Sequence, residues 1–237
     1  HSFPTRRSSD LVRAYDSWGL VDPVRDAAAL EHSVAQGFTG IKIKLGGGDL
    51  AHDLHTVREV RRIVGEDMAL MVDYNQSLTP DEAIRRLRAL EDFDLEWVEE
   101  PVLAEDLQGH ARVRAETTQT IQTGENWWFP RDAERALSAQ ACDRMMPDLM
   151  KIGGITGWLS VMGLARAASM PVSSHLFIEA SAHVLAVTPT CDWLEFMDFG
   201  SPVLQTPSQI VQGGVIAQGP GLGIVWDEAA VARYLVA

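Results

Sequence analysis

Short apolar runs alternate with longer amphipathic stretches along most of the chain. Eight runs have the length and residue types of β-strands, at 12–15, 40–44, 69–73, 95–99, 121–124, 144–146, 171–173 and 193–195. Between them apolar residues recur three or four positions apart, as in 50–64, which indicates helices. Strands that alternate with helices pair in parallel, and eight of them close a barrel. The pattern therefore predicts an α/β fold, a TIM-like (β/α) barrel.

The two ends of the chain depart from this alternation. Residues 1–10 are serine-rich and lack periodicity, so we expect a disordered or extraneous leader before the barrel at 11–199. The glycines of 200–237 indicate turns in a C-terminal appendage that ends with one short helix. The length of 237 residues suits one domain, because a single barrel takes about 200 to 250 residues.

Composition limits the kind of partner. The formal net charge of −13 argues against nucleic acid and anionic membranes, which call for clustered lysine and arginine. No stretch approaches the roughly 20 apolar residues of a membrane span. The two cysteines, Cys142 and Cys191, suggest neither a zinc site nor a disulfide framework, so we expect a cytoplasmic protein.

Three acidic residues, Asp73, Glu99 and Glu125, each follow or close an apolar run and are equally spaced along the chain. The spacing matches one strand-plus-helix unit. Because the carboxyl ends of parallel barrel strands lie side by side at one rim, the three carboxylates should meet. Three hard oxygen ligands predict a divalent cation, with magnesium as the first choice.

Lys42 and Lys44 alternate with isoleucines on the second predicted strand, so both should point into the barrel mouth. Two buried ammonium groups lower each other's pKa, which allows one of them to act as a base near neutral pH. The alternative is structural: both lysines pair with barrel carboxylates.

Asp148 and His175 follow the sixth and seventh predicted strands, whose ends are adjacent. A carboxylate beside an imidazole fixes its tautomer and raises its basicity, which favours an acid/base pair over a structural histidine. Glu195 ends the eighth strand opposite the lysines. It could bind a barrel lysine or take part in chemistry, and the residues alone leave both open.

The series KIKLG, MVDYNQS, WVEEP, GENW, MPDLMKIGG, SSHLF and WLE, in this order, resembles the enolase superfamily and within it the mandelate racemase subgroup. Each motif is weak alone, but seven in register over 11–237 are specific. The resemblance implies a (β/α)7β barrel and an N-terminal α+β capping domain before it. No such domain precedes the first predicted strand, so we expect the capping domain to be missing and the appendage to be the part that would pack against it.

The resemblance also implies roles for the residues of the mouth. The three equally spaced carboxylates would bind Mg²⁺. Lys44 would be the base facing one enantiomer, and His175, paired with Asp148, would face the other. Lys42 would hold the substrate carboxylate and lower the pKa of Lys44.

Four further residues match the subgroup's pattern. Glu195 would be a protonated hydrogen-bond donor to a developing enediolate, and Asn75 would contact the α-hydroxyl of the substrate. Ser17 would contact the substrate carboxylate, and Lys151 would line the mouth.

These roles imply magnesium-dependent abstraction of the proton α to a carboxylate, and racemisation of a 2-hydroxy acid such as mandelate is the first expectation. The same site could instead expel a β-hydroxyl from an acid sugar. A barrel without turnover is a further alternative, and lack of the capping domain would favour it. A metal-dependent hydrolase is disfavoured, because no histidine ends the third to fifth strands. We expect a small carboxylate as substrate and a homo-oligomer at full length.

Overall fold

The computed structural model describes residues 11–235, so the predicted leader lies outside the described residues. Strands and helices alternate through most of this range. The strands are β1 (Leu11–Leu20), β2 (Gly40–Lys44), β3 (Ala69–Asp73), β4 (Leu95–Glu99), β5 (Ile121–Thr123), β6 (Arg144–Met145), β7 (Leu194–Phe196) and β8 (Gly214–Ile216). The helices are α1 (Ala27–Ala35), α2 (Leu50–Val64), α3 (Pro80–Ala89), α4 (Leu107–Glu116), α5 (Phe129–Ser138), α6 (Gly154–Ala167), α7 (Ile178–Ala186) and α8 (Glu228–Ala232).

Seven strands form a curved parallel sheet in the order β6-β5-β4-β3-β2-β1-β7. The sheet is closed by a segment that was predicted as a strand at 171–173. Val172 of this segment forms parallel bridges with Met145 on one side and Cys191 on the other. The predicted barrel is therefore confirmed. The segment at 171–173, predicted as its seventh strand, forms only isolated bridges rather than a full strand.

The strands in the middle of the sheet begin and end at the residues that the sequence pattern predicts. The predicted bounds of β2, β3, β4 and α2 are those of the structure. Strand β1 runs on to Leu20 rather than ending at Tyr15, because its later residues still pair with β2 across an irregular register. The predicted run at 193–195 is displaced by one residue, to Leu194–Phe196.

The C-terminal appendage is tied to the barrel. Its strand β8 pairs antiparallel with the beginning of β1, from Leu11 opposite Ile216 to Arg13 opposite Gly214. The predicted short helix is α8, which begins after Asp227, whose side chain accepts a hydrogen bond from the Ala230 backbone N–H. No described helix is long and apolar enough to cross a membrane.

The interior of the barrel is layered along its axis. Tyr15, Trp97 and Trp193 fill the middle with edge-to-face contacts, at centroid distances of 5.3, 6.3 and 6.4 Å, and Met71 packs against them. Two larger apolar clusters lie between the strands and the surrounding helices. The aromatic layer therefore separates the two ends of the barrel, and the carboxyl ends of the strands form the mouth.

Candidate functional site

The three predicted carboxylates meet at the mouth. Asp73 and Glu99 are the last residues of β3 and β4, and Glu125 follows β5 after Gly124. One oxygen from each lies within 4.8 Å of the others. Gly124 has a φ of 138° and lies so close to the Met146 backbone that a Cβ would be 3.0 Å from its nitrogen, so glycine is required at this turn.

Negative charge is crowded in this cluster. Burial raises the pKa of Glu99 well above its ordinary value, and Asp73 and Glu125 add to this although Lys42 opposes it. Burial also raises the pKa of Asp73, again with a contribution from Glu125. A divalent cation would relieve this repulsion, and three converging carboxylates are the donor set that suits Mg²⁺.

Lys42 lies against the carboxylates and is almost fully buried. Its Nζ donates to both oxygens of Glu99, at 2.8 and 3.0 Å, and is 2.8 Å from Oε1 of Glu195. Burial lowers the pKa of Lys42, but the charges of Glu195 and Glu99 outweigh burial and raise it well above its ordinary value. The predicted lowering of the Lys42 pKa is therefore wrong, because carboxylates from β4 and β7 contact the ammonium directly.

Lys44 is more accessible than Lys42, with 34% of its side chain exposed. Its Nζ donates to Oδ1 of Asn75 at 3.2 Å and is 4.0 Å from Oδ2 of Asp73. Asn75 has a φ of 45°, and its backbone N–H donates to Oδ1 of Asp73 at 2.6 Å. The ends of β2 and β3 thus bring a lysine, an amide and a proposed metal ligand together.

His175 and Asp148 form the predicted pair. Nδ1 of His175 donates to Oδ2 of Asp148 at 2.7 Å, while Oδ1 of Asp148 accepts the backbone N–H groups of Met150 and Lys151. Burial raises the pKa of Asp148, but the bond to His175 and these backbone bonds outweigh it, so the net pKa is lowered. Nε2 of His175 points toward the mouth and lies 3.3 Å from Oε2 of Glu125.

The surroundings of Glu195 lower its pKa, whereas the resemblance implies a protonated side chain. Burial raises its pKa, but Lys42, His175 and the backbone N–H of Leu176 together lower the pKa of Glu195 to about 2. Oε1 accepts a hydrogen bond from Ser17 Oγ at 2.8 Å, and Oε2 accepts one from Leu176 N at 2.9 Å. Both oxygens of Glu195 therefore face donors, which favours the ionised carboxylate over the protonated form that the resemblance implies.

Two functional candidates were missed from the sequence. Asn126 donates from Nδ2 to Glu100 at 2.8 Å and to Glu125 at 3.1 Å, and its Oδ1 accepts from Nζ of Lys151 at 2.9 Å. Glu100 is fully buried, and burial, helped by Glu125, raises its pKa to about 8. Both belong to motifs that carry the resemblance, WVEEP and GENW, and they lie next to the metal-ligand candidates in sequence. That position was the available signal.

Comparisons with known proteins agree with this geometry. A family model described as enolase C-terminal domain-like matches residues 25–230. The 3,6-anhydro-α-L-galactonate cycloisomerase of Streptomyces coelicolor is 37% identical over 90% of this chain and 60% of its own length. The L-talarate/galactarate dehydratase of Salmonella typhimurium is 34% identical over 82% of this chain and 49% of its own length. Other relatives include epimerases.

Among solved structures, a Bradyrhizobium enolase crystallised with magnesium and mandelic acid is 53% identical, with a TM-score of 0.93. The similarity covers 96% of this chain and 63% of that one. The chain thus spans about half to two thirds of the length of the relatives it matches.

Proposed function

Because the chain belongs to the enolase C-terminal domain-like family, we propose that it is the catalytic barrel of a magnesium-dependent enzyme that removes the proton α to a carboxylate. The observation that carries the proposal is a pair of candidate bases beside one carboxylate cluster. Lys44 ends β2, and His175 follows the segment that closes the barrel, with β1 and β7 between them on the ring. The two bases can therefore approach one α-carbon from different sides.

Asp73, Glu99 and Glu125 would hold the magnesium ion. When bound, the ion would offset the second negative charge that builds on a carboxylate as its α-proton leaves. The protein's own contribution is a fixed set of donors, which need not reorganise during the reaction. Lys42 has three N–H donors and uses them on Glu99 and Glu195, so it would hold the substrate carboxylate by sharing or exchanging one of these bonds.

His175 is prepared for proton transfer by its partner. Asp148 accepts a hydrogen bond from the Nδ1–H group, which would leave Nε2 as the basic nitrogen of the ring, directed toward the mouth. Lys44, the more accessible of the two lysines, would remove or return the proton on the other side. Asn75, bonded to Lys44, would contact the α-hydroxyl.

Ser17 and Lys151 complete the proposed substrate contacts at the mouth. The hydroxyl of Ser17 now donates to Glu195 and could turn to a substrate carboxylate. Lys151 is held by Asn126 and would line the mouth. In its ionised state Glu195 would act by positioning Lys42 and Ser17, in place of the protonated donor that the resemblance implied.

The reaction proposed first is racemisation of a 2-hydroxy acid. Removal of the α-proton by one base and its return by the other inverts the stereocentre, with no net change in atoms. Mandelate is the first substrate to test, because the 53% identical Bradyrhizobium protein was crystallised with mandelic acid. We propose the cytoplasm as the location and a homo-oligomer as the full-length assembly.

Dehydration of an acid sugar is the second candidate. It is favoured by the 34% identity to the Salmonella typhimurium dehydratase. The same α-proton would leave, and His175 in its protonated form would donate a proton to the departing β-hydroxyl. Water and an enol that becomes a 2-keto acid would be the products.

The decisive experiment is exchange of the α-proton with solvent deuterium, followed by NMR on each enantiomer of mandelate and on galactarate. Lys44→Ala should abolish exchange of one mandelate enantiomer, and His175→Asn should abolish exchange of the other. Both variants should lose racemisation. Equal loss of α-proton exchange for both enantiomers in either variant would contradict the assignment of one base to each enantiomer. Absence of exchange with every substrate would favour a barrel without turnover, and a 2-keto product from galactarate would favour the dehydratase.

A further inference from the structure

Asp53 is a fully buried carboxylate outside the mouth that binds two neighbouring loops at once. It lies on α2, and its Oδ1 accepts the backbone N–H of Gly46 at 3.2 Å. Its Oδ2 accepts the hydroxyl of Tyr74 at 3.0 Å and NH1 of Arg86 at 2.6 Å. A buried carboxylate is costly unless it is paired and hydrogen-bonded, and here the guanidinium and two further donors satisfy it.

The two bound loops are those that carry groups of the mouth. Gly46 lies two residues after Lys44, at the start of the loop that follows β2. Tyr74 stands between Asp73 and Asn75, directly after β3. One carboxylate therefore connects the chain just beyond Lys44 to the chain that holds its hydrogen-bond partner.

Other contacts make this connection tight. Arg86, on α3, also donates to the carbonyl of Gly48 at 3.0 Å, so it reaches the β2 loop as well. Gly46 has a φ of 81°, and a Cβ there would lie 2.5 Å from Oγ of Ser77 in the β3 loop. The two loops thus touch each other as well as Asp53, with little room for one to move without the other.

We propose that Asp53, with Tyr74 and Arg86, is a positioning residue that holds Lys44 against Asn75. It would thereby affect proton transfer only on the face of the substrate that Lys44 approaches. This inference rests on the proposed function, since it assigns the network to the base of one face. His175 is positioned separately, by Asp148 and by backbone N–H groups that do not involve Asp53. Loss of the network should therefore affect the two faces unequally.

The test uses Tyr74→Phe, which deletes one hydroxyl at a site that is 1% exposed and leaves the Asp53–Arg86 pair in place. Exchange of the enantiomer that depends on Lys44 should fall about tenfold, because small misplacements of a reacting group cost up to ~10²-fold in rate. Exchange of the enantiomer that depends on His175 should stay within about twofold of the unmodified chain. An equal fall on both faces, or no fall on the Lys44 face, would overturn the inference.

A second measurement does not need turnover. Amide hydrogen exchange followed by mass spectrometry should rise in both 44–49 and 74–78 in Tyr74→Phe, while 175–178 is unchanged. A rise confined to 74–78 would overturn the inference even in an inactive chain. Lack of α-proton exchange in the unmodified chain would instead count against the proposed function, so the two failures are distinguishable.

Thr188→Val is the matched control. It removes the buried bond from Nε1 of Trp158 to the Thr188 hydroxyl, 3.0 Å long, which links α6 to the end of α7. This variant should lose stability without changing the ratio of exchange on the two faces or the amide exchange of 44–49. If Thr188→Val changed that ratio as Tyr74→Phe does, a general loss of stability would explain the change in the ratio, and the positioning role of Asp53 would be wrong.

Discussion

The two ends of the barrel interior both contain charged side chains, but the charges are balanced at only one of them. At the amino ends of the strands, NH1 of Arg144 lies 2.7 Å from both Glu96 and Asp192, and Arg13 also pairs with Asp192. Two cations face two carboxylates there. The guanidinium of Arg13 also lies 4.0 Å from the ring of Trp193, so the network is packed onto the aromatic layer.

At the carboxyl ends of the strands the charges do not cancel. Lys42 contacts the carboxylates of Glu99 and Glu195, and Glu99 in turn clusters with Asp73 and Glu125. Lys44 lies at the edge, 4.0 Å from Asp73. The raised pKa values of Asp73 and Glu99 reflect this excess of negative charge and its burial.

The difference separates structural charge from functional charge. A balanced, fully bonded network is close to neutral for stability and is costly only when one partner is removed. An unbalanced cluster costs stability as it stands and gains it when a cation binds. Changes at the first end should therefore alter folding, and changes at the second should alter ligand binding.

The largest effect is expected from Arg144→Met. This change leaves Glu96 and Asp192 without their shared partner. Breaking a fully buried pair costs about 3–5 kcal/mol, and we expect the lower end, about 3 kcal/mol, because Arg144 and Glu96 are partly exposed. The melting temperature should fall by about 6–12 °C for a chain of this size. Thermal and urea unfolding would measure it. Magnesium affinity, measured on the folded variant by calorimetry, should not change. A parallel loss of affinity would contradict the claim that charges at the amino ends of the strands affect folding but not ligand binding.

Glu125→Gln should weaken magnesium binding by about 100-fold, or about 2.7 kcal/mol, because one of three anionic ligands becomes neutral. Isothermal calorimetry would measure the affinity. The matched control is Glu96→Gln, the same chemical change at the balanced end, which should reduce stability and leave magnesium affinity intact. Unchanged affinity in Glu125→Gln would count decisively against the metal site.

Magnesium itself should stabilise the unmodified chain. At a free concentration ten times the dissociation constant, binding to the folded state adds about 1.4 kcal/mol, which is about 3–6 °C in melting temperature. Scanning calorimetry with and without a chelator would measure the shift. Glu96→Gln should keep the shift, and a chain that shows none would indicate that the carboxylates are satisfied without a cation.

The smallest effect concerns pH and lies outside both ends. His110 on α4 is 1% exposed, and burial lowers its pKa below the ordinary 6.5. The unfolded chain therefore binds a proton more readily, so the contribution of His110 is complete above pH 6.5 and is lost as the pH falls below it. His110→Asn should remove this part of the acid sensitivity. Urea unfolding at pH 5 and pH 8 would measure it, and an unchanged pH dependence would contradict the assignment.

Local pattern was enough to predict much of this barrel. The bounds of β2, β3, β4 and α2 follow from alternation and helical spacing, and Thr79 caps α3 by accepting the backbone N–H of Glu82 at 3.4 Å. The spacing of Thr79 and Glu82 also suits a capping box, but the side chain of Glu82 pairs with Arg85 and Arg86 instead. Pairing partners, rather than local propensity, account for the longer β1 and for the reduced segment around Val172.

What the sequence by itself determined is which residues stand at the ends of the strands. Asp73, Glu99 and Lys42 could be placed at the mouth because parallel strands of a barrel end at one rim. Only the tertiary structure decided their partners and the direction in which each pKa is shifted. The pKa values of Lys42 and Glu195 depend on burial and on groups from distant strands, and both differ from expectation for that reason. Asn126 likewise binds Glu100 and Glu125, and Asp53 binds Gly46 and Tyr74. These hydrogen bonds join segments that only folding brings together, and no local sequence pattern encodes them.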